Sequence, residues 1–281
     1  MNNSIPKTLY KYVTTDGLIN ILETGKLKFS AASLFNDPFD LTINPWDIDL
    51  KDFREDLETE IKIAISDNAD LPNNLGDLRN YANAPDTTTE NLNNEIKKWC
   101  DQIIERQKIN QEDLKARAKT NLEKIRVLSL TTEHNNLLMW AHYADSHKGA
   151  VLEFRGNDEF FKKVLNVEYE KDLATSGLIS KHIRFGMDLT TNPAIDFLRT
   201  KSSYWRYEQE WRLMRDAVNP VMKREFHLFP PHALKEIYLG CKIQEDTIEE
   251  VRSLINGNFK HVKIFKASKN QKEFKLDIDP I

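Results

Sequence analysis

The densest grouping of reactive side chains is Glu208-Gln209-Glu210, followed at once by Trp211-Arg212-Leu213-Met214. Where a strand starts at such a pair, side chains alternate with period two, so both carboxylates share one side. Two acids facing one cleft suit general acid-base chemistry or stabilisation of a cationic transition state, and each raises the pKa of the other. The competing reading is a solvated edge strand whose acids pair with Arg206, Arg212 or Arg215. Ser129 and Thr131 share a face of an earlier segment, with Leu130 turned to the other side. Their hydroxyls are small donors able to orient a carboxylate, or ordinary strand residues satisfied by backbone.

His142, Asp145 and His147 have the side chains of metal ligands, but the histidines are five positions apart. A helix brings positions i and i+4 onto one face, so no metal is expected there. Trp140, His142 and Tyr143 line a pocket or fill core, with aromatic faces able to stack on a flat ring. Asp37 and Asp40, within Phe35-Asn-Asp-Pro-Phe-Asp40, are turn formers beside a φ-fixing Pro38, or loop residues of a cleft. Lys260, Lys263, Lys266, Lys269, Lys272 and Lys275 make a solvated face or a set of phosphate contacts.

The elements that would carry these residues follow from periodicity and caps. Thr8 to Val13 interleaves apolar and polar β-formers and reads as a strand. Thr14-Thr-Asp16 caps a short helix with Leu18, Ile19, Ile21 and Leu22 at helical spacing, ended by Gly25. Lys26 to Ser30 is a second strand. Helical patterns lie near 51–67 and 90–125, separated by a loop from Asn68 to Thr89, and Ile96, Cys100, Ile103 and Ile104 fall on one face of the second. Further strands are expected at Arg126–Thr132, Ala150–Phe154, Asn166–Tyr169, up to Met214, at Glu236–Gly240 and at His261–Phe265. Helices are expected from Leu137 to about Asp145, near 193–202 and over Glu245–Ile255. Strands broken by short helices, without a regular βαβα rhythm, predict an α+β fold in one domain over 1–281, with a helical insertion at about 41–125.

Composition removes several classes of function. The chain has 281 residues, 40% hydrophobic and 30% charged, and a net charge of −4. It has no run of the roughly 18–20 apolar residues that a membrane helix requires. The start, MNNSIPKTLY, lacks the basic-then-apolar layout of a signal peptide, so a cytoplasmic location without membrane association is expected. Nine glycines form no G-x-G, which excludes both a Rossmann fingerprint and a P-loop. Cys100 and Cys241 are too far apart for a CxxC site, and HExxH is absent. From Leu41 to Ile125 there are 18 acidic and 12 basic residues, a net of −6, while the remainder carries +2. A locally basic surface on that remainder would tolerate single-stranded nucleic acid.

Together, Leu9-Tyr-Lys-Tyr12, the FNDPFD turn, Leu137-Leu-Met-Trp-Ala-His-Tyr-Ala-Asp-Ser-His-Lys-Gly149 and Trp205-Arg-Tyr-Glu-Gln-Glu-Trp-Arg212 resemble a bacterial domain-of-unknown-function family, the one numbered twenty-nine seventy-one. More distantly, the order of elements is similar to that of ADP-ribosyltransferases, glycosyltransferase-class enzymes that consume NAD. That resemblance implies a split mixed or antiparallel sheet that grips NAD as substrate with side chains in a cleft. Carried over by position, Glu210 would be the catalytic glutamate, Glu208 would place or activate the acceptor, and Ser129 would orient Glu210. Lys11, after Leu9-Tyr10, takes the place of an arginine or histidine, and Leu130 interrupts the hydroxyl strand. Tyr10, Lys11, Thr131, Trp140, His142 and Tyr143 are the implied cofactor contacts, with Tyr143 as a nicotinamide platform. The resemblance further implies a growth-arresting toxin or antiviral effector that modifies a protein or single-stranded nucleic-acid acceptor and has an antitoxin partner. The alternatives are a non-catalytic nucleotide- or partner-binding module of the same fold, or a metal-dependent nuclease using Asp37, Asp40, Glu208 and Glu210.

Overall fold

The computed structural model describes residues 4–41, 50–66, 76–170 and 198–281. The chain divides into two compact units, one formed by Met1–Pro38, Glu123–Tyr169 and Lys201–Ile281, the other by Phe39–Leu122 and Glu170–Thr200. In chain order the elements are β1 (Thr8–Val13), α1 (Thr15–Thr24), β2 (Lys26–Ser30), α2 (Leu50–Ser66), α3 (Gly76–Ala82), α4 (Thr89–Glu123), β3 (Ile125–Thr131), α5 (Leu137–Tyr143) and β4 (Ala150–Arg155). They continue with β5 (Leu165–Asn166), β6 (Glu168–Glu170), β7 (Thr200–Ser202), β8 (Glu210–Asp216), β9 (Arg224–Leu228), β10 (Leu234–Leu239), α6 (Glu245–Ile255), β11 (Lys263–Lys269) and β12 (Leu276–Pro280). The fold is α+β, with a mixed sheet of mostly antiparallel strands.

Local chemistry explains the first elements. The Thr14 side chain accepts from the Gly17 N–H at 3.1 Å, satisfying one of the donors that a helix start leaves open. Gly25 closes α1 in the left-handed region at φ 64°, where its N–H reaches Ile21 O at 2.8 Å. Leu18, Ile21 and Leu22 bury the inner face of this helix.

The sheet of the first unit turns on β3. One of its edges is occupied along its whole length by β8, from Ile125 opposite Asp216 to Thr131 opposite Glu210. Its other edge is shared, with Tyr10 of β1 opposite Thr131 at one end and Ser30 of β2 opposite Val127 at the other. The sheet therefore splits there. One half runs β1-β4-β10-β11-β12 and the other β9-β2-β3-β8-β5. Within it β10 and β11 pair in parallel, and β6 and β7 form a separate two-stranded ribbon. Alternation sends Leu9, Leu27, Phe29, Leu128, Leu152 and Leu213 into the main core beneath α1 and α6. Tyr12, Val151 and Tyr238 join Met139 and Trp140 in a smaller cluster.

In the second unit α2 buries Leu57, Ile61 and Ala64, and α4 buries Ile96, Cys100 and Ile104. Burial pushes the Cys100 thiol up to about 12, which makes it a core residue rather than a nucleophile. Arg54 bridges Glu58 and Asp101, each at 3.1 Å. Among the described residues no helix is long and apolar enough to cross a membrane.

The structure departs from the expected elements in several places, among them the strand expected at 166–169, which is split between β5 and β6. Residues 200–202 form a strand where a helix was expected near 193–202, while 193–197 lie outside the described residues. Helix α3 lies within the expected loop 68–89, and β9 and β12 carry no expectation at all. Strand β9 buries none of its five residues and is held by its ladder to β2, so its sequence shows no core-facing alternation.

Candidate functional site

Both glutamates of the E-x-E arrive at one point, but period-two alternation is not what brings them there. Residues 203–208 form short 3-10 turns, Gln209 adopts a left-handed conformation at φ 41°, and only Glu210 belongs to β8. The reversal is pinned from β3 and the residues after it. The Thr131 hydroxyl donates to Glu208 O at 2.5 Å, and Gln209 bonds Thr132 and Glu133, each at 3.0 Å.

The meeting point is Lys201. Its Nζ donates to Glu208 Oε2 at 2.5 Å and to Glu210 Oε2 at 3.0 Å. Arg212, two positions along the strand and on the same face as Glu210, closes a fork on that carboxylate through Nε and Nη2, both at 3.0 Å. All four charged side chains are at most 5% exposed, so two cations and two anions face one another in a buried cluster. Burial of unpaired charge is costly, and pairing makes this arrangement tenable. Tyr143 donates to Glu208 Oε1 at 2.6 Å and accepts from Asn36 Nδ2 at 3.1 Å. The Tyr169 hydroxyl accepts from the Glu210 N–H at 2.7 Å, and the Trp205 ring lies 5.1 Å from the Lys201 ammonium.

The two acids differ in their hold on a proton. Burial alone would raise Glu210, but Arg212 first, then Lys201 and the hydrogen bond from Ser129, bring it down to about 2. Glu208 is pushed up, chiefly by burial and further by Glu210, against the pull of Lys201. One carboxylate is thus locked in its charged form while the other is tuned towards taking up a proton.

The other expected site residues divide into those that meet this cluster and those that do not. Ser129 reaches Glu210, as the resemblance implied. Thr131 holds the backbone of Glu208 rather than a ligand. Lys11 shares a face of β1 with the core residues Leu9 and Val13. Burial, with Lys28 adding repulsion, lowers its amine to about 8 against the opposing pull of Glu210 and Glu208. Tyr10 belongs to a different cluster, with His134 at 5.0 Å between ring centroids and a hydrogen bond to Glu153. Trp140 fills core. It is wholly buried, stacked on His147 at 6.2 Å and edge-on to Tyr12, so no face is left for a nicotinamide. His142 is exposed and meets only Tyr143 edge-on. Asp37 and Asp40 are buried, and the lysine run is a largely solvated face in which Lys266 pairs with Glu245 and Lys275 with Glu273. Among the described residues no group of three or more His, Cys, Asp or Glu is placed to hold a metal.

Lys11 carries a direct consequence for pH dependence. Its folded pKa, about 8, lies below its ordinary 10.5, so between these values the unfolded chain binds more protons and stability rises with pH. Chemical denaturation of Lys11→Met between pH 8 and 10 is expected to lack that rise relative to the wild type. Identical pH profiles would mean that Lys11 is solvated in the folded protein.

Lys201, Tyr169 and Asn36 carried no sequence signal for this site, and Arg212 was legible only as an exposed ion-pair partner. No match is found among curated proteins or among solved structures. Residues 139–213 match a family described as a protein of unknown function, DUF2971. That stretch runs from α5 to the middle of β8 and contains Tyr143 and every charged member of the buried cluster. The segment that builds the acid pair is therefore similar to the DUF2971 family.

Proposed function

We propose that the first unit is an ADP-ribosyltransferase-like domain that consumes NAD and transfers ADP-ribose to a protein or single-stranded nucleic-acid acceptor, with Glu208 and Glu210 as its acids. The observation that carries this reading is the convergence of two carboxylates of unequal proton affinity on one point, beside the Ser129 hydroxyl of the strand on which the sheet splits. When the bond between ribose C1′ and the nicotinamide nitrogen breaks, its electron pair leaves with the ring and positive charge develops on the ribose. Glu210, kept ionised by Arg212 and Lys201, opposes that charge. Glu208 takes the proton of the acceptor nucleophile as the new bond to C1′ forms. Lys11 contributes a positive charge for the cofactor phosphates below about pH 8.

One observation favours a second reading, a nucleotide- or partner-binding module of the same fold without chemistry. Glu210 already accepts two bonds from Arg212, one from Lys201 and one from Ser129, which fills the roughly four lone-pair sites of a carboxylate. Catalysis by Glu210 therefore requires Lys201 or Ser129 to yield to a ribose hydroxyl.

Nicotinamide release from NAD separates these readings. The wild type is expected to release it, and Glu210→Gln and Glu208→Gln, checked for folding by circular dichroism, are each expected to lose about 100-fold or more. Activity that survives Glu210→Gln removes that residue from the mechanism. Saturable NAD binding without release selects the binding module, and nuclease activity strictly dependent on a divalent ion replaces both readings.

A further inference from the structure

A second site lies at the opposite end of β8. A cavity of 520 Å³ opens where β3 begins and β8 ends, lined among others by Phe160, Lys162, Lys163 and Arg215. Its volume lies in the range of small-molecule sites, about 300–1,000 Å³. Arg215 is five positions beyond Glu210, roughly 17 Å along an extended strand, and alternation turns it to the other face. This cavity is therefore not an extension of the acid pair.

The state of Arg215 indicates what the cavity takes. Its guanidinium lies 5.1 Å from the Phe29 ring and 4.6 Å from the Phe160 ring. Among the described residues it has no carboxylate or carbonyl partner, and burial alone acts on its pKa, lowering it. The two fully buried arginines of this unit, by contrast, are saturated. Arg126 donates five hydrogen bonds to carbonyls, and Arg212 holds Glu210. The two rings stand at 70° to each other, so the guanidinium can lie flat on at most one of them, and neither ring is a carboxylate or carbonyl acceptor for its N–H donors, whose fork geometry matches a phosphate. Lys163 is exposed and has no partner among the described residues, while Lys162 is engaged by Glu159. Of the two lining acids, Glu159 is thus paired with Lys162, and Asp216 is exposed at the end of β8.

The geometry points to this cavity as a binding site for a phosphorylated small molecule, with the free edge of Arg215 gripping a phosphate group and Lys163 closing on it from the rim. The site stands independently of the chemistry assigned to Glu208 and Glu210.

Calorimetric titration of the full chain with sodium pyrophosphate, against sodium sulfate at equal ionic strength, tests it. Saturable pyrophosphate binding at one site is expected, weakened about tenfold or more in Arg215→Gln, as for loss of charge-assisted hydrogen bonds. Lys163→Gln is expected to weaken it about threefold, Arg215→Lys to recover only part of the affinity, and Glu210→Gln to leave it unchanged. Should Arg215→Gln fail to fold, the exposed Lys163→Gln decides. Absence of saturable binding to the wild type, equal affinity for sulfate, wild-type affinity in the substituted cavity, or loss on Glu210→Gln would each overturn the assignment.

Discussion

Replacing Lys201 with methionine is expected to destabilise the first unit by about 3–5 kcal/mol at pH 8, the range for removing one partner of a buried ion pair. The ammonium serves two carboxylates, Glu208 at 2.5 Å and Glu210 at 3.0 Å, and none of the three is more than 5% exposed. Arg212 remains to compensate Glu210, but Glu208 keeps only the neutral hydroxyl of Tyr143. Glu208 is already raised by burial, and without Lys201 it rises further. A group whose folded pKa exceeds its unfolded value adds stability at low pH and loses it as pH rises through the folded value. Glu210 works the other way. With a folded value of about 2 against an ordinary 4.5, it adds stability above 4.5 that is lost as pH falls towards 2. The Lys201→Met deficit is therefore expected to be larger at pH 8 than at pH 5 in urea titrations. Adding Glu208→Gln should recover part of it by removing the stranded charge. A deficit below about 1 kcal/mol at pH 8, the level of a surface ion pair, would show that solvent takes over from the lysine.

The second large effect is expected at Gly149, which leads into β4. A Cβ there would lie 2.1 Å from Val13 O and 3.1 Å from both C and O of Ala144, all of them backbone. Val13 pairs with Ala150, and Gly149 O accepts from the Gly240 N–H at 2.8 Å. The neighbours are thus fixed by the same ladder that the methyl would push apart. Gly149→Ala is expected to cost about 3 kcal/mol, the upper part of the overpacking range, and to lower the melting temperature by roughly 6–12 °C. At Gly257 the nearest atom to an added Cβ is 3.8 Å away, so Gly257→Ala should stay within about 0.5 kcal/mol. Equal melting temperatures for the two alanine variants would mean that the β1–β4 junction yields without strain.

Where local signals are strong, the sequence reading and the structure coincide. Strand β1, the Thr14 cap, the Gly25 stop, β2 and the helix Glu245–Ile255 were readable because each carries its own periodicity and punctuation. Strand β9 was not, because its ladder to β2 holds it rather than a buried face of its own, and β12 was not, because its inward face has only Leu276 and Ile278 as a signal. The acid pair was legible as a pair, but alternation along a strand was the wrong reason for its convergence. A left-handed Gln209, held by Thr132 and Glu133, turns Glu208 towards Lys201.

Local sequence determined the α+β class, the absence of a glycine loop for phosphates, and the placing of two acids next to each other with two hydroxyls on an earlier strand. Tertiary structure alone decided which acid is held ionised and which is free to take a proton. Charge regulation acts over about 3 Å in a medium of low dielectric. Of the groups that set it here, only Arg212 neighbours Glu210 in the chain, while Ser129 and Tyr143 come from segments brought together when the sheet closes around β3. The same closure placed Arg215 against two phenylalanine rings, without a carboxylate or carbonyl partner among the described residues, which spacing along the chain does not encode.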